Sequence, residues 1–163
     1  MSDEPFDRQP RVPHGHVVPR FAGLGSFARL PHIRSLEGVD VAVFGVPFDG
    51  GTTFRPGARF GPQGIRESSR LLRAYNYAMD VRPFDDLSVV DYGDLAVVPF
   101  DIGDTYTLVE EQAADFYDRR VFPIAMGGDH SVALPLLRAC ARSHGPVSLL
   151  QLDAHFDTWE KLY

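Results

Sequence analysis

Residues 121–153, VFPIAMGGDHSVALPLLRACARSHGPVSLLQLD, decide the fold. An apolar run at 121–126 leads into Gly127-Gly128-Asp129-His130-Ser131, a helical stretch follows to about His144, and a second apolar run fills 147–152 after Gly145-Pro146. A strand, a crossover helix and another strand joined by short loops form the repeating unit of a parallel sheet covered on both faces. Pro123 is a mild warning inside the first strand, because proline has no donor for the ladder. Pro135 interrupts the start of the helix, so its regular hydrogen bonding should begin near that residue. Leu134, Leu137, Cys140 and Ala141 fall on one apolar side, which makes Cys140 a buried core thiol rather than a reactive one.

The chain upstream repeats the pattern. Residues 39–47, VDVAVFGVP, form a continuous apolar, β-branched run that reads as a strand buried on both faces. Four Gly and three Pro between Pro47 and Pro62 make PFDGGTTFRPGARFGP a loop. It contains neither Gly-Lys-Ser/Thr nor GxGxxG, so it reads as a structured loop at one mouth of the domain rather than a nucleotide cradle. Pro62 suits the first turn of a helix over 63–72, with Ile65, Leu72 and Ser68 or Ser69 facing inward. Arg66, Arg70 and Arg73 then lie along a solvated flank. A short strand is expected at 87–91, where Asp91 and Asp94 end the strand and shape its turn. Asp104 or Thr105 is expected to cap a helix running to about Arg120, with Leu108, Ala113 and Phe116 inward. Residues 1–37 are rich in Pro and lack a sustained period, so they read as an N-terminal arm with one short helical turn near 27–30, and 38–163 as the domain proper. The expected fold class is α/β, a three-layer α/β/α sandwich on a parallel sheet.

Composition narrows the function. The 163-residue chain is 44% apolar and 23% charged, enough for a sizeable core. Its net charge of -6 and lack of a basic run argue against a nucleic-acid partner. No apolar run approaches the roughly 20 residues of a membrane span. The acidic start, MSDEPFDRQP, is not a secretory signal, and the lone Cys140 forms no internal disulfide. A cytoplasmic protein is expected.

Chemistry concentrates at two strand tips. Asp153, His155 and Asp157 alternate directly after the 147–152 run, and His130 follows the 121–126 run. Ligands in parallel α/β sheets gather outside the carboxyl ends of the strands. Carboxylates with imidazole and no thiolate suit Mn, Fe, Zn or Co. Asp153 and Asp157 would stand about 13 Å apart on an extended strand, whereas paired metals sit only about 3.5–4 Å apart. The chain must therefore bend just after Asp153.

GGDHS at 127–131, DAHFD at 153–157 and GVPFDGGTTFRPGARFGPQGIRESS from Gly45 resemble the ureohydrolase family of arginases and agmatinases. The likeness covers most of residues 38–159. It implies an arginase-like fold, a centre of two Mn(II) ions, hydrolysis of a small guanidino substrate to urea and an amine, and a trimeric or hexameric homo-oligomer. Carried over by position, His130 and Asp157 would ligate one metal, His155 the other, and Asp153 would bridge them, with Asp157 also orienting the attacking water. Within the family the chain looks most like agmatinase, because Trp159 stands where arginases carry an Asn; guanidinobutyrase and proclavaminate amidinohydrolase are similar alternatives. The family's later DxDxxDP motif, its His-Gly and its late Glu have no counterpart before Tyr163. A fragment or truncated product is therefore expected, and a catalytically inactive metal-binding or partner domain is the other reading of the chain.

Overall fold

The computed structural model describes Val12 and residues 18–158. Three parallel strands form its sheet: β1 Val41–Val46, β2 Val89–Asp94 and β3 Phe122–Gly127, in the order β2-β1-β3. Four helices accompany them: α1 Gly61–Ser69, α2 Pro83–Asp86, α3 Ile102–Asp118 and α4 Ala133–His144. The result is an α/β arrangement on a parallel three-stranded sheet. Among the described residues, no helix is long and apolar enough to cross a membrane.

The central strand is buried on both faces, as its unbroken apolar run requires. On one face Ala42, Phe44 and Val46 meet Val109, Ala113 and Phe116 of α3 and Ala139 of α4. Phe44 stacks on Phe116 with ring centroids 4.7 Å apart, and Tyr92 closes edge-on at 5.0 Å. On the other face Val43 packs with Val89, Met126, Ala28 and Leu30. The side-chain period of two along the strand thus feeds two separate cores.

The N-terminal segment lies against this same domain. A 3-10 turn at Phe27–Arg29 is followed by an isolated parallel bridge between His32 and Asp91. Asp91 N donates to Pro31 O at 2.9 Å and Ile33 N to Asp91 O at 3.0 Å. This covers the outer edge of β2, which would otherwise present unpaired backbone groups.

Several local expectations are corrected. The α3 cap is Asp101, whose carboxylate accepts from Asp104 N at 2.8 Å, rather than Asp104 or Thr105. Thr105 instead turns inward and bonds both backbone groups of Val98. In α3 the buried position is Val109 and not Leu108, which is half-buried. In α4 the buried stripe is Val132, Pro135 and Ala139, while Leu134 is exposed. Cys140 is half-buried near Tyr117; burial first, then the neighbouring thiol, pushes the Tyr117 hydroxyl up to about 12.

The inner face of α1 is polar. Ile65 and Leu72 point to solvent, whereas Pro62, Ser69 and Arg70 are buried and the Arg66 side chain is only 11% exposed. Arg70 donates to Arg20 O at 2.8 Å and Ala22 O at 3.1 Å, and Ser69 Oγ accepts from Ala28 N at 2.7 Å. The physical reason is a bulge in β2. Register shifts between Val43 and Phe44, so Asp91 pairs with Val43 and Asp94 with Gly45, which places both carboxylates on one face of the sheet. A buried carboxylate needs a cation, and Arg66 supplies it.

The expected fourth strand at 147–152 does not form. The segment carries no ladder, and Leu149, Leu150 and Leu152 are 60%, 85% and 92% exposed. A strand apolar on both faces is stable only when both faces are covered. Among the described residues no helix follows 152 to supply the second cover. Among the described residues β3 is accordingly an edge strand, with Phe122 and Ile124 exposed. Phe122 N donates inward to Asp40 O, so the adjacent Pro123 turns its donor-less nitrogen toward the open edge, where proline is tolerated.

Candidate metal centre

The site begins where β1 and β3 leave the sheet side by side. Gly128 N donates to Val46 O at 3.0 Å and Asp129 N to Phe48 O at 2.8 Å. A Cβ on Gly128 would stand 1.9 Å from Phe48 O and 2.7 Å from Val46 O, so only glycine permits this approach. Asp129 then makes the turn. Its Oδ1 accepts from Ser131 N at 2.9 Å and from the Ser131 hydroxyl, and its Oδ2 accepts from Gly51 N at 2.7 Å. Both oxygens of Asp129 are therefore spent on backbone geometry, and His130 opens the 3-10 turn His130–Val132 with its ring half-exposed.

The second half of the site comes from the segment after α4. The chain bends at Ala154 and His155, as the carboxylate spacing demands, and Asp157 adopts a left-handed conformation with φ 51°. His130 Nδ1 lies 2.9 Å from Asp157 Oδ2 and 3.5 Å from Asp153 Oδ2. Gln151 Nε2 donates to the same Asp157 oxygen at 3.1 Å. One ligand atom from each of His130, Asp153 and Asp157 falls within 4.8 Å of the others. His155 is the exception among the four expected residues. Its Nδ1 sits 3.2 Å from Asp153 Oδ1, on the opposite carboxylate oxygen from the one His130 faces, and its ring is 83% exposed. The His155 amide is the largest influence holding the Asp153 carboxyl below its ordinary range, joined by the rings of His155 and His130 against an opposing effect of burial.

Residues 39–162 match the model of the arginase family. The chain belongs to the arginase family. This arginase-family chain is 44% identical over 156 residues to a mitochondrial agmatinase from Gallus gallus, a match covering 93% of the chain and 46% of that protein. It is 40% identical over 152 residues to a guanidinobutyrase from Pseudomonas aeruginosa, covering 91% and 48%. Among solved structures it matches the proclavaminate amidino hydrolase from Streptomyces clavuligerus with a TM-score of 0.82 and 40% identity, covering 89% of this chain and 48% of that one. A formiminoglutamase from Trypanosoma cruzi, 25% identical with a TM-score of 0.63, was solved with two Mn(II) ions. The chain spans about half the length of the curated relatives it matches.

The arginase-family donor set can be tested against a metal by size and charge. Ligand atoms about 2.0–2.2 Å from a common ion stand at most about 4.4 Å apart. The ligand atoms of His130, Asp153 and Asp157 all lie within 4.8 Å of one another, and His130 Nδ1 stands 2.9 and 3.5 Å from the carboxylates of Asp157 and Asp153, a grouping compact enough for one divalent cation. Two carboxylates and one imidazole make a hard, oxygen-rich set suited to Mn(II). For a second ion the described residues offer the outer oxygen of Asp153 and the His155 ring. Trp159, on which the agmatinase likeness rests, lies outside the described residues.

Sequence reasoning missed two groups here. The Asp91–Asp94–Arg66 cluster was read as turn residues and a solvated flank, and only the bulge shows otherwise. Asp49 reads from the sequence only as part of a structured loop, yet its side chain is fully buried and paired with Arg59. The signal available for it was an Asp between a strand end and two Gly, a pattern shared with ordinary turns.

Proposed function

We propose that this protein is a manganese-dependent amidinohydrolase that cleaves agmatine to putrescine and urea. The observation that supports the reading is the convergence of His130 with Asp153 and Asp157, brought from opposite ends of α4 to within 2.9 and 3.5 Å. Two Mn(II) ions would supply Lewis acidity and a lowered pKa for a shared water. His130 and Asp157 would help hold one ion and His155 the other, with Asp153 shared between them. Asp157 would also accept a hydrogen bond from the attacking water and aim its lone pair at the guanidino carbon. In the reaction a carbon–oxygen bond would form, the carbon–nitrogen bond to the alkyl chain would break, and the leaving amine would take the proton given up by the attacking water. Asp153, held below its ordinary range, stays ionised throughout the neutral region.

The guanidino acids are the alternative substrates, because a guanidinobutyrase and a proclavaminate amidino hydrolase match the chain about as well as an agmatinase does. The deciding experiment is urea release by the purified protein with Mn(II), run in parallel on agmatine and 4-guanidinobutyrate. Faster turnover of agmatine supports the proposal, and faster turnover of the acid replaces the substrate. One observation favours a second reading, in which the chain binds one ion without turnover: three ligand atoms converge, and the second ion has only two donors among the described residues. Manganese binding with no urea from either compound would establish that reading.

A further inference from the structure

We propose that Asp49 is a positioning residue for His130, acting through the loop that leaves β1; the proposal rests on the metal-site reading above. Asp49 sits just past the end of β1 with its side chain fully buried. Its Oδ2 accepts from Gly57 N at 2.7 Å and Arg59 N at 3.3 Å, and its Oδ1 accepts from Arg59 Nε at 2.6 Å. The Arg59 guanidinium, more than any other group, holds the Asp49 carboxyl below its ordinary range. These bonds close residues 49–59 into a lobe fastened at its base, while its tip leaves Phe54 exposed.

The closed lobe touches the site at one point. Gly51 N donates to Asp129 Oδ2 at 2.7 Å, and a Cβ on Gly51 would come 3.0 Å from that oxygen and 3.1 Å from Ser131 Cβ. Phe48, directly before Asp49, accepts from Asp129 N at 2.8 Å. Asp129, directly before His130, is thus held by one bond from the lobe at Gly51 and one from Phe48 at its base. A ligand presented in its binding geometry loses less freedom on coordination, and groups that orient metal ligands govern affinity for that reason. Without the Asp49 carboxylate the lobe loses its base, Gly51 is released, and the turn carrying His130 is held from one side only.

The test uses Asp49→Ala and Asp49→Asn in the native protein, the Asn keeping an acceptor for Gly57 N. Amide hydrogen exchange over 127–132 is measured without metal, and Mn(II) affinity by titration calorimetry. In Asp49→Ala, exchange over 127–132 should rise about tenfold with β2 unchanged, and Mn(II) affinity should fall about 10–100-fold. Asp49→Asn should fall between this and the parent, and it alone decides if Asp49→Ala does not fold. Unchanged exchange over 127–132 in a folded variant overturns the proposal, as does faster exchange with unchanged Mn(II) affinity, which would make Asp49 a loop-shaping residue only. If the parent protein binds no Mn(II), the metal-site reading fails, and the exchange result by itself decides whether Asp49 positions the His130 turn.

Discussion

Arg66 grips Asp91 with two parallel bonds, Nε to Oδ2 at 2.8 Å and Nη2 to Oδ1 at 3.0 Å, and reaches Asp94 Oδ1 with Nη1 at 2.6 Å. Phe27 N at 2.7 Å and Gly93 N at 2.8 Å complete the shell around Asp91. The Arg66–Asp91 pair therefore joins α1 to β2, and through Asp91 to the N-terminal segment. Removing one partner of a buried pair strands the other charge, at about 3–5 kcal/mol. Arg66→Ala should cost an amount in that range in denaturant unfolding. Arg66→Lys should recover only part of it, because an ammonium cannot make the fork.

The same cluster sets an acid limit. Burial, the largest single influence on Asp91, would raise its pKa, but the Arg66 bonds and the Phe27 and Gly93 amides together outweigh it and hold the carboxyl below its ordinary range. A depressed folded pKa means stability that is present above the unfolded value of about 3.9 and lost as pH falls through the folded value. Unfolding free energy measured from pH 6 downward, a range chosen to bracket about 3.9, should therefore decline below about pH 4. Asp91→Asn should show a lower plateau and a shallower decline.

Asp101 caps α3 by accepting from Asp104 N at 2.8 Å. Loss of such a cap typically costs about 1 kcal/mol. Asp101→Ala should lower stability by that amount and Asp101→Asn by much less, read from urea unfolding midpoints. Because Asp101 stands at the N-terminus of α3, outside the His130–Asp153–Asp157 group, Mn(II) affinity should be unchanged in both.

Gly128 stands where no side chain fits, its would-be Cβ 1.9 Å from a backbone oxygen rather than from a flexible side chain. Overpacking typically costs about 1–3 kcal/mol when neighbours can give way. Here the strand exits themselves must part, so Gly128→Ala should reach or exceed the top of that range in thermal unfolding. Mn(II) affinity should fall with it, since Asp129 and His130 ride on the displaced turn.

What the sequence disclosed follows from how local each signal is. β1 was legible because a strand buried on both faces writes one unbroken apolar run, and its flanking helices because Pro62 and Pro135 mark their first turns. The ligand spacing at Asp153, His155 and Asp157 was legible because alternate carboxylate and imidazole on a short stretch already require a bend. The inward face of α1 was not, because an Arg at helical spacing ordinarily faces water, and the bulge that buries Asp91 beneath it leaves no mark in the residues themselves. Residues 147–152 were misread for the opposite reason. Their short apolar run is that of a buried strand, but pairing depends on covering layers that local pattern does not encode. Asp49 escaped notice because its partners are backbone amides and Arg59, up to ten residues away in a loop.

The metal assignment makes the most direct prediction. A ligand that binds only the folded state stabilises it by about 2.7 kcal/mol at 100 times its dissociation constant. Mn(II) at that excess should raise the unfolding free energy of the protein by about this amount, and a chelator should reverse it. His130→Ala removes the only donor contributed by the β3 exit to the three-residue group, leaving two carboxylates held on one exposed segment. The stabilisation by Mn(II) should disappear in this variant while its metal-free stability changes little, because the His130 ring is half-exposed and outside the core. Mg(II), which demands near-ideal octahedral geometry and dehydrates reluctantly, should stabilise the parent less than Mn(II) does, because the site carries an imidazole. Equal stabilisation of the parent and His130→Ala would mean that Mn(II) binds elsewhere on this acidic chain and that the approach of His130 to Asp157 is an ordinary surface ion pair.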